Sequence, residues 1–180
     1  MARKTIEQMI DDLIAVEGGY VNDSRDAGGE TNFGVTKAVA RANGYQGQMR
    51  DMPKAIAQNI YRKKYFIDPG FQIVYLLSPL IAEEMFDTGV NMGTSIPGPW
   101  LQRLLNVFND AKQDLVVDGK IGPATITALR LYLNKRGSDG EIVMVRALNC
   151  LQGARYVDLA EKREQNRAFI YGWLKNRVTT

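Results

Sequence analysis

The chain has 180 residues and a mass of 20.1 kDa, which is enough for one substantial core or two smaller lobes. Its net charge of +3 and pI near 9.0 are too weakly basic to indicate a nucleic-acid-binding protein. Because the sequence has no histidine, Ser-His-Asp triads, Cys-His pairs and zinc sites built on imidazole are excluded. We therefore expect no metal and no other cofactor, and we assign any catalysis to carboxylates, lysine, tyrosine or hydroxyl groups.

A single cysteine, Cys150, excludes an intramolecular disulfide. We expect its side chain to be small and buried within a helix. No stretch has the length and hydrophobicity of a membrane helix, and the N-terminus lacks the apolar run of a signal peptide. We therefore expect neither membrane insertion nor an export signal.

The first predicted helix covers residues 5–16 and places its apolar side chains on one face. Thr5 and Gln8 form a predicted capping box, and Gly18-Gly19 ends the helix. At about 100° per residue, Glu17 projects from the apolar face. Desolvation and the negative end of the helix dipole both favour its protonated form. Such an acid can protonate a poor leaving group, although a helix-end carboxylate extended into solvent is the alternative.

A polar loop follows at residues 22–32, with a Gly-Gly pair near its middle. Its composition predicts a tight reversal or β-hairpin that ends in a short strand, residues 33–35. Such a loop can fold back over the end of the helix. It would then bring a second carboxylate, an arginine and several hydroxyl groups close to Glu17.

The rest of the chain is predicted to be helical from its capping residues and apolar spacing. The helix at 78–92 has a continuous apolar stripe and is the candidate central helix. Residues 97–99 should break the chain, and residues 137–140 should separate two later helices. Gly153 and Gly172 are expected weak points in the last one. The predicted helices lie at 36–43, 51–66, 78–92, 100–108, 124–133 and 141–175.

The predicted fold class is therefore mainly α, with about seven helices and a small β-hairpin beside the first helix. Near the end of the central helix, Asp87, Thr88 and Asn91 interrupt the apolar pattern, and Asp87 and Asn91 stand one turn apart. Structural polar residues at a helix end are one interpretation of this group. A wall of a substrate site is the other.

Residues 17–36 read EGGYVNDSRDAGGETNFGVT. This motif resembles the opening of glycoside hydrolase family 108, the phage and bacterial lysozymes of the N-acetylmuramidase type. The later segments FDTGVNMG, VDGKIGPATITAL and FIYGWLKNR are also similar to that family, and VDGKIGPATITAL resembles peptidoglycan-binding modules as well. The resemblance implies a lysozyme-like fold, with a catalytic lobe at 1–96 and a helical lobe resembling a peptidoglycan-binding region at 97–180, packed into one compact unit.

In this resemblance Glu17 is the catalytic acid. Phage-type lysozymes more broadly have an Asp nine residues after the Glu and a Thr six residues further on. Asp26 keeps the first spacing, but position 32 is Asn, so we predict Thr31 as the third catalytic residue and Thr36 as the second choice. The predicted substrate-binding residues are Tyr20, Asn32, Thr36 and Asn91.

The implied activity is hydrolysis of the β-1,4 bond between N-acetylmuramic acid and N-acetylglucosamine by a phage endolysin. We expect a monomer, made in the cytoplasm of a bacterial host, that a holin releases to the glycan strands of periplasmic peptidoglycan. Alternatives are a lytic transglycosylase, a non-catalytic peptidoglycan-binding or virion structural protein, and a helical nucleic-acid-binding protein. Asp23 and Glu30 are alternative acidic residues for the site.

Overall fold

The computed structural model describes residues 5–22, 29–108 and 114–178, without the side chains of Val16 and Glu17. These residues contain eight α-helices and one two-stranded antiparallel sheet. The mainly α fold class with a small hairpin is therefore confirmed. The strands are β1 (Thr31–Asn32) and β2 (Val35–Thr36). The helices are α1 (Ile6–Glu17), α2 (Lys37–Ala42), α3 (Lys54–Arg62), α4 (Phe71–Tyr75), α5 (Pro79–Met92), α6 (Pro97–Phe108), α7 (Pro123–Lys162) and α8 (Ile170–Arg177).

Three short segments complete the description: 3₁₀ turns at Met49–Asp51 and Glu164–Ala168, and a π-helical turn at Lys63–Ile67 that continues α3. The chain forms two compact units, Met1–Asp68 and Pro69–Thr180. The proposed division into lobes at 1–96 and 97–180 stays a prediction. None of the helices in the described ranges has the length and apolar character needed to cross a bilayer.

In the first unit, α1 begins and ends where its capping residues predict. The Thr5 hydroxyl accepts a hydrogen bond from the Gln8 backbone at 3.2 Å, and the Gln8 side chain accepts one from the Thr5 backbone at 2.8 Å. Gly18 follows the helix with a φ of 83°. The apolar face of α1 contacts α3. Its buried residues are Met9, Ile10 and Ile14.

The hairpin turns at Phe33-Gly34, with φ values of 53° and 71°. Residues 33–35 were predicted to be a strand, and this prediction is wrong for the first two of them. Positive φ at both central residues is the geometry of a two-residue turn whose twist matches the flanking strands. The Phe33 carbonyl accepts a hydrogen bond from the Tyr61 hydroxyl at 2.9 Å, which ties the turn to α3.

In the second unit, α5 is the central helix that its apolar stripe predicts. Ser78 caps it, accepting a hydrogen bond from the Ile81 backbone at 3.1 Å, and proline occupies the first turn. The helix contacts α4, α6 and α7. Among its completely buried apolar residues are Ile81, Ala82 and Met85. The core of this unit is therefore arranged around α5.

Two helix boundaries in the second unit differ from their predictions, and a third agrees. Pro97 begins α6 instead of breaking the chain, because a proline in the first turn lacks an N–H that has no partner there anyway. At Gly137 the backbone is non-helical, with φ of 60° and ψ of −148°, and this kink separates α7 into two helices, as predicted for residues 137–140. The later interruption falls at 163–169 rather than at Gly153 or Gly172.

Cys150 is exposed, so the prediction that it is buried is wrong. Its neighbours in α7 explain this result. Leu148, Asn149 and Gln152 are all buried, and a residue two positions from either Leu148 or Gln152 lies about 200° away around a helix. Cys150 therefore lies on the opposite side of α7 from the core.

A buried carboxyl group, Glu84, connects α5 to α7. The Asn149 amide donates to its Oε2 at 2.7 Å, and the Thr88 hydroxyl donates to its Oε1 at 3.4 Å. Burial, with a smaller contribution from nearby Asp87, raises the pKa of Glu84 from 4.5 to about 7. The protonated form of this carboxyl is therefore favoured within the folded core.

We expect Glu84→Gln to remove a pH dependence of stability. Between about pH 4.5 and 7 the folded protein holds more protons at Glu84 than the unfolded chain does, so ionisation lowers the free energy of unfolding as pH rises. At about 1.4 kcal/mol per pKa unit, ionisation of Glu84 lowers the free energy of unfolding of the wild type by about 3 kcal/mol in total across this range. Glu84→Gln should not show this decrease. Urea denaturation across this pH range measures it, with the exposed Glu161→Gln as control. Equal slopes in the wild type and Glu84→Gln would contradict the assignment.

Candidate active site

The predicted catalytic acid occupies the end of α1. Glu17 is the last helical residue, and Gly18 caps the helix directly after it with a φ of 83°. Ile10 and Ile14 precede Glu17 by seven and three positions and are buried. Helical phase therefore places the Glu17 backbone position on the side of α1 that carries the core residues. Its side chain lies outside the described part of the structure.

The hairpin returns to the residues that follow α1. Val21 and Thr31 exchange two backbone hydrogen bonds, each 2.9 Å long. Thr31 therefore lies opposite a residue only four positions beyond Glu17. Asp26, predicted as the second carboxylate, and Asp23, its alternative, lie outside the described residues. The described geometry brings together Tyr20 and Thr31 from the predicted site.

A charged side chain next to Thr31 joins the two sides of this bridge. Glu30 accepts a hydrogen bond from the Tyr20 hydroxyl at 2.9 Å and forms an ion pair with the Lys37 ammonium at 3.1 Å. The guanidinium of Arg50 lies 5.1 Å from the centre of the Tyr20 ring, within the range of a cation–π interaction. Lys37, followed by Tyr20, lowers the pKa of Glu30. Glu30 is therefore held as a carboxylate, which argues against its use as the general acid.

Sequence reasoning did not single out Lys37 or Arg50. The hairpin register carried a signal for Lys37, because Thr31 pairs with Thr36 and Asn32 with Val35. One step outward, Glu30 faces Lys37, and the Lys37 backbone donates to the Glu30 carbonyl at 2.9 Å. Placing the turn at Phe33-Gly34 would have indicated this pair.

Asn32 is buried, with 3% of its surface exposed. Its amide nitrogen donates to the carbonyls of Met49 at 2.7 Å and Arg50 at 3.3 Å. The side chain thus anchors the 3₁₀ turn Met49–Asp51 to β1. Thr36 caps α2 by accepting a hydrogen bond from the Val39 backbone at 3.3 Å. The substrate-binding roles assigned to both residues stay predictions, and their observed contacts support the hairpin.

Asn91 belongs to the second unit, where its side chain is exposed and donates to the Asp87 carbonyl at 2.7 Å. The Asp87 carboxylate accepts from Gln152 at 3.0 Å and from Arg177 at 2.9 Å. Asp87 therefore has the structural role that one interpretation of the sequence gave it. The substrate-binding role of Asn91 stays a prediction.

A carboxyl group with a raised pKa is often found at a functional site, and sequence reasoning did not identify Glu84. With 8% of its surface exposed, Glu84 lies between α5 and α7 and is hydrogen-bonded to Asn149. A general acid must reach the oxygen that it protonates, so we assign Glu84 to the packing of the second unit. Within the described residues, no cluster of three or more acidic or cysteine side chains could hold a metal ion.

Family models match both halves of the sequence. Residues 10–93 match the model described as Glycosyl hydrolase 108, and residues 97–178 match the model described as Predicted Peptidoglycan domain. The chain carries a glycosyl hydrolase 108 region and a predicted peptidoglycan domain. The resemblance carried by the motif at residues 17–36 is therefore confirmed. The two regions support a glycoside hydrolase that acts on the peptidoglycan of the cell wall.

One similar solved structure is described as Structure of Brucella abortus SagA. It aligns with a TM-score of 0.61 and 24% sequence identity, and the alignment covers 98% of this chain and 91% of that chain. At this identity the likeness shows the shared fold alone. No curated protein sequence matches the chain significantly.

We expect Asn32→Ala to destabilise the hairpin of this glycosyl hydrolase 108 region. The change removes the two hydrogen bonds that the buried Asn32 side chain donates to the carbonyls of Met49 and Arg50, at a net cost of about 0.5–1.5 kcal/mol for each. The Met49 carbonyl keeps its hydrogen bond from the Met52 backbone at 3.2 Å. Chemical denaturation measures the loss. Asn43→Ala is the matched control, because the Asn43 amide also donates to a backbone carbonyl but at the exposed surface. Equal losses in the two variants would contradict an anchoring role for Asn32.

Proposed function

We propose that the protein is an N-acetylmuramidase that hydrolyses the β-1,4 bond between N-acetylmuramic acid and N-acetylglucosamine in peptidoglycan. One observation carries the proposal: the glycosyl hydrolase 108 region includes the end of α1 at Glu17 and the hairpin strand that pairs with Val21. A candidate acid and a candidate hydroxyl, Thr31, thus belong to chain segments joined by backbone hydrogen bonds.

The proposed reaction begins with proton transfer from the Glu17 carboxyl to the glycosidic oxygen. The bond from that oxygen to C1 of the muramic sugar breaks, and C1 gains oxocarbenium character. Asp26, as a carboxylate, stabilises this charge or orients water, and Thr31 helps to place the water. The water oxygen bonds to C1 and its proton passes to a carboxylate, so the products are a reducing muramic end and a free hydroxyl on the leaving sugar.

The remaining predicted residues have supporting roles in this proposal. Tyr20 offers an aromatic ring to the substrate. Asn32 and Thr36 act through the hairpin and the start of α2, because the Asn32 amide donates to the Met49 carbonyl and the Thr36 hydroxyl accepts from the Val39 backbone. Asn91 contacts a sugar with its exposed side chain. The predicted peptidoglycan domain at 97–178 adds affinity for the glycan strand.

We also infer that the protein works as a phage endolysin. In this proposal it is made in the cytoplasm of a bacterial host, a holin releases it, and it acts as a monomer on periplasmic peptidoglycan during host lysis. The resemblance of residues 17–36 to phage lysozymes supports this role.

We expect the wild type to clear suspensions of purified Gram-negative peptidoglycan and to release fragments with reducing muramic ends. Glu17→Gln should lose at least about a hundredfold in rate, since it removes the general acid. Turbidity measures the rate, and mass spectrometry identifies the fragment ends. Asp12→Asn, at an exposed position of the same helix, is the control and should keep its activity.

Each alternative gives a different result in this experiment. Anhydro muramic ends would identify a lytic transglycosylase, which uses the same acid without water. Equal lysis by the wild type and a folded Glu17→Gln would show that Glu17 is structural. Binding to peptidoglycan without lysis by either protein would favour a non-catalytic peptidoglycan-binding protein.

A further inference from the structure

The Glu30 carboxylate is held from two directions, and both its oxygens are used. Oε1 accepts the Tyr20 hydroxyl, which comes from the segment after α1, and Oε2 accepts the Lys37 ammonium from the first turn of α2. Glu30 lies next to Thr31 in sequence, where the Val21 bridge begins. One carboxylate therefore links the segment after α1, the first strand of the hairpin and α2.

Tyr20 has a second contact on its ring, and this contact leads back to the same hairpin. The Arg50 guanidinium lies over the ring at 5.1 Å, while the Arg50 carbonyl accepts a hydrogen bond from the Asn32 amide at 3.3 Å. The phenol hydroxyl and the ring face are thus fixed by groups that are themselves tied to the hairpin. The orientation of Tyr20 depends on Glu30 at one end and Arg50 on its face.

We propose that Glu30 and Lys37 are positioning residues of the hydrolase: through their ion pair they hold Tyr20 and the strand bearing Thr31 in place beside the end of α1. This inference rests on the proposed function, because Tyr20 and Thr31 are assigned to the site there. In this inference Glu30 is not a candidate general acid. Its carboxylate instead holds Tyr20 and Lys37.

The state of the Glu30 carboxylate fits this role. Lys37, then Tyr20, and to a smaller extent Arg41 lower its pKa, so the acceptor stays charged at a lower pH than an ordinary glutamate does. Hydrogen bonds to a charged acceptor are shorter and stronger than those between neutral groups. Loss of Lys37 returns the pKa of Glu30 towards its ordinary value. The contact with Tyr20 then weakens at a higher pH than in the wild type.

The test compares kcat and KM on solubilised peptidoglycan for Glu30→Gln, Lys37→Met, the double variant and Lys37→Arg. The control is Lys54→Met, which removes another exposed ion pair of the first unit, between Lys54 and Asp11 at 2.6 Å. Surface ion pairs contribute little to stability, so all the variants should remain folded, and circular dichroism and Tm check this. Loss of the Glu30–Lys37 pair and loss of the Asp11–Lys54 pair should therefore change stability by similar small amounts.

We expect Lys37→Met and Glu30→Gln each to lower kcat about tenfold or more, with a smaller change in KM, because misplaced catalytic groups reduce rate steeply. The kcat of the double variant should be no lower than that of the less active single variant, because both substitutions break the same Glu30–Lys37 ion pair. Lys37→Arg should restore most of kcat. In Lys37→Met the acidic loss of kcat should also begin at higher pH, and this shift should disappear in the double variant.

Several outcomes would overturn the proposal. If Lys37→Met and Glu30→Gln match Lys54→Met in kcat while Glu17→Gln is inactive, the positioning role is wrong and the proposed function stands. A loss that follows Tm alone, with no rescue by Lys37→Arg, also rejects it. If Glu17→Gln remains active, or the wild type does not cleave peptidoglycan, the proposed function fails and this inference fails with it.

Discussion

The pairing of Val21 with Thr31 is the constraint on which the candidate site depends. Its two 2.9 Å hydrogen bonds place Thr31 opposite Val21, which follows Glu17 by four positions. The turn at Phe33-Gly34 sets the register of β1 against β2. Because a slip of one residue in a hairpin turns each side chain to the other face, this register decides that Glu30 meets Lys37 and that Asn32 is buried. A short hairpin of two-residue strands is marginal by itself, which explains why buried and charged side chains anchor it to its surroundings.

Two glutamates show how environment assigns different roles to one residue type. Glu30 meets a lysine and a tyrosine hydroxyl near the surface, so its pKa falls and its charge is available to hold other groups. Glu84 lies between two helices, where burial raises its pKa to about 7 and amide and hydroxyl donors only partly offset that effect. Neither environment is that of an acid that reaches a substrate, so the proposed general acid stays with Glu17 at the end of α1.

The two family regions share one core in the second unit. Helix α5 lies in the glycosyl hydrolase 108 region, whereas α6 and α7 lie in the predicted peptidoglycan domain, and α5 contacts both of them. The hydrogen bond from Asn149 to Glu84 and the ion pair between Arg177 and Asp87 connect the same two regions. The peptidoglycan domain therefore completes the packing around α5, beyond any part it has in binding glycan.

The sequence by itself determined the helical class, the capped ends of α1 and α5, and the family, because these depend on local spacing, caps and a contiguous motif. Tertiary structure decided what depends on partners distant in sequence. The turn at Phe33-Gly34 is supported by Tyr61, and Asn32 is buried because it reaches the carbonyls of Met49 and Arg50. Glu84 acquires its partners and its pKa only when α7 covers α5. Local pattern cannot specify such contacts, since burial and charge pairing arise only when separate elements pack together.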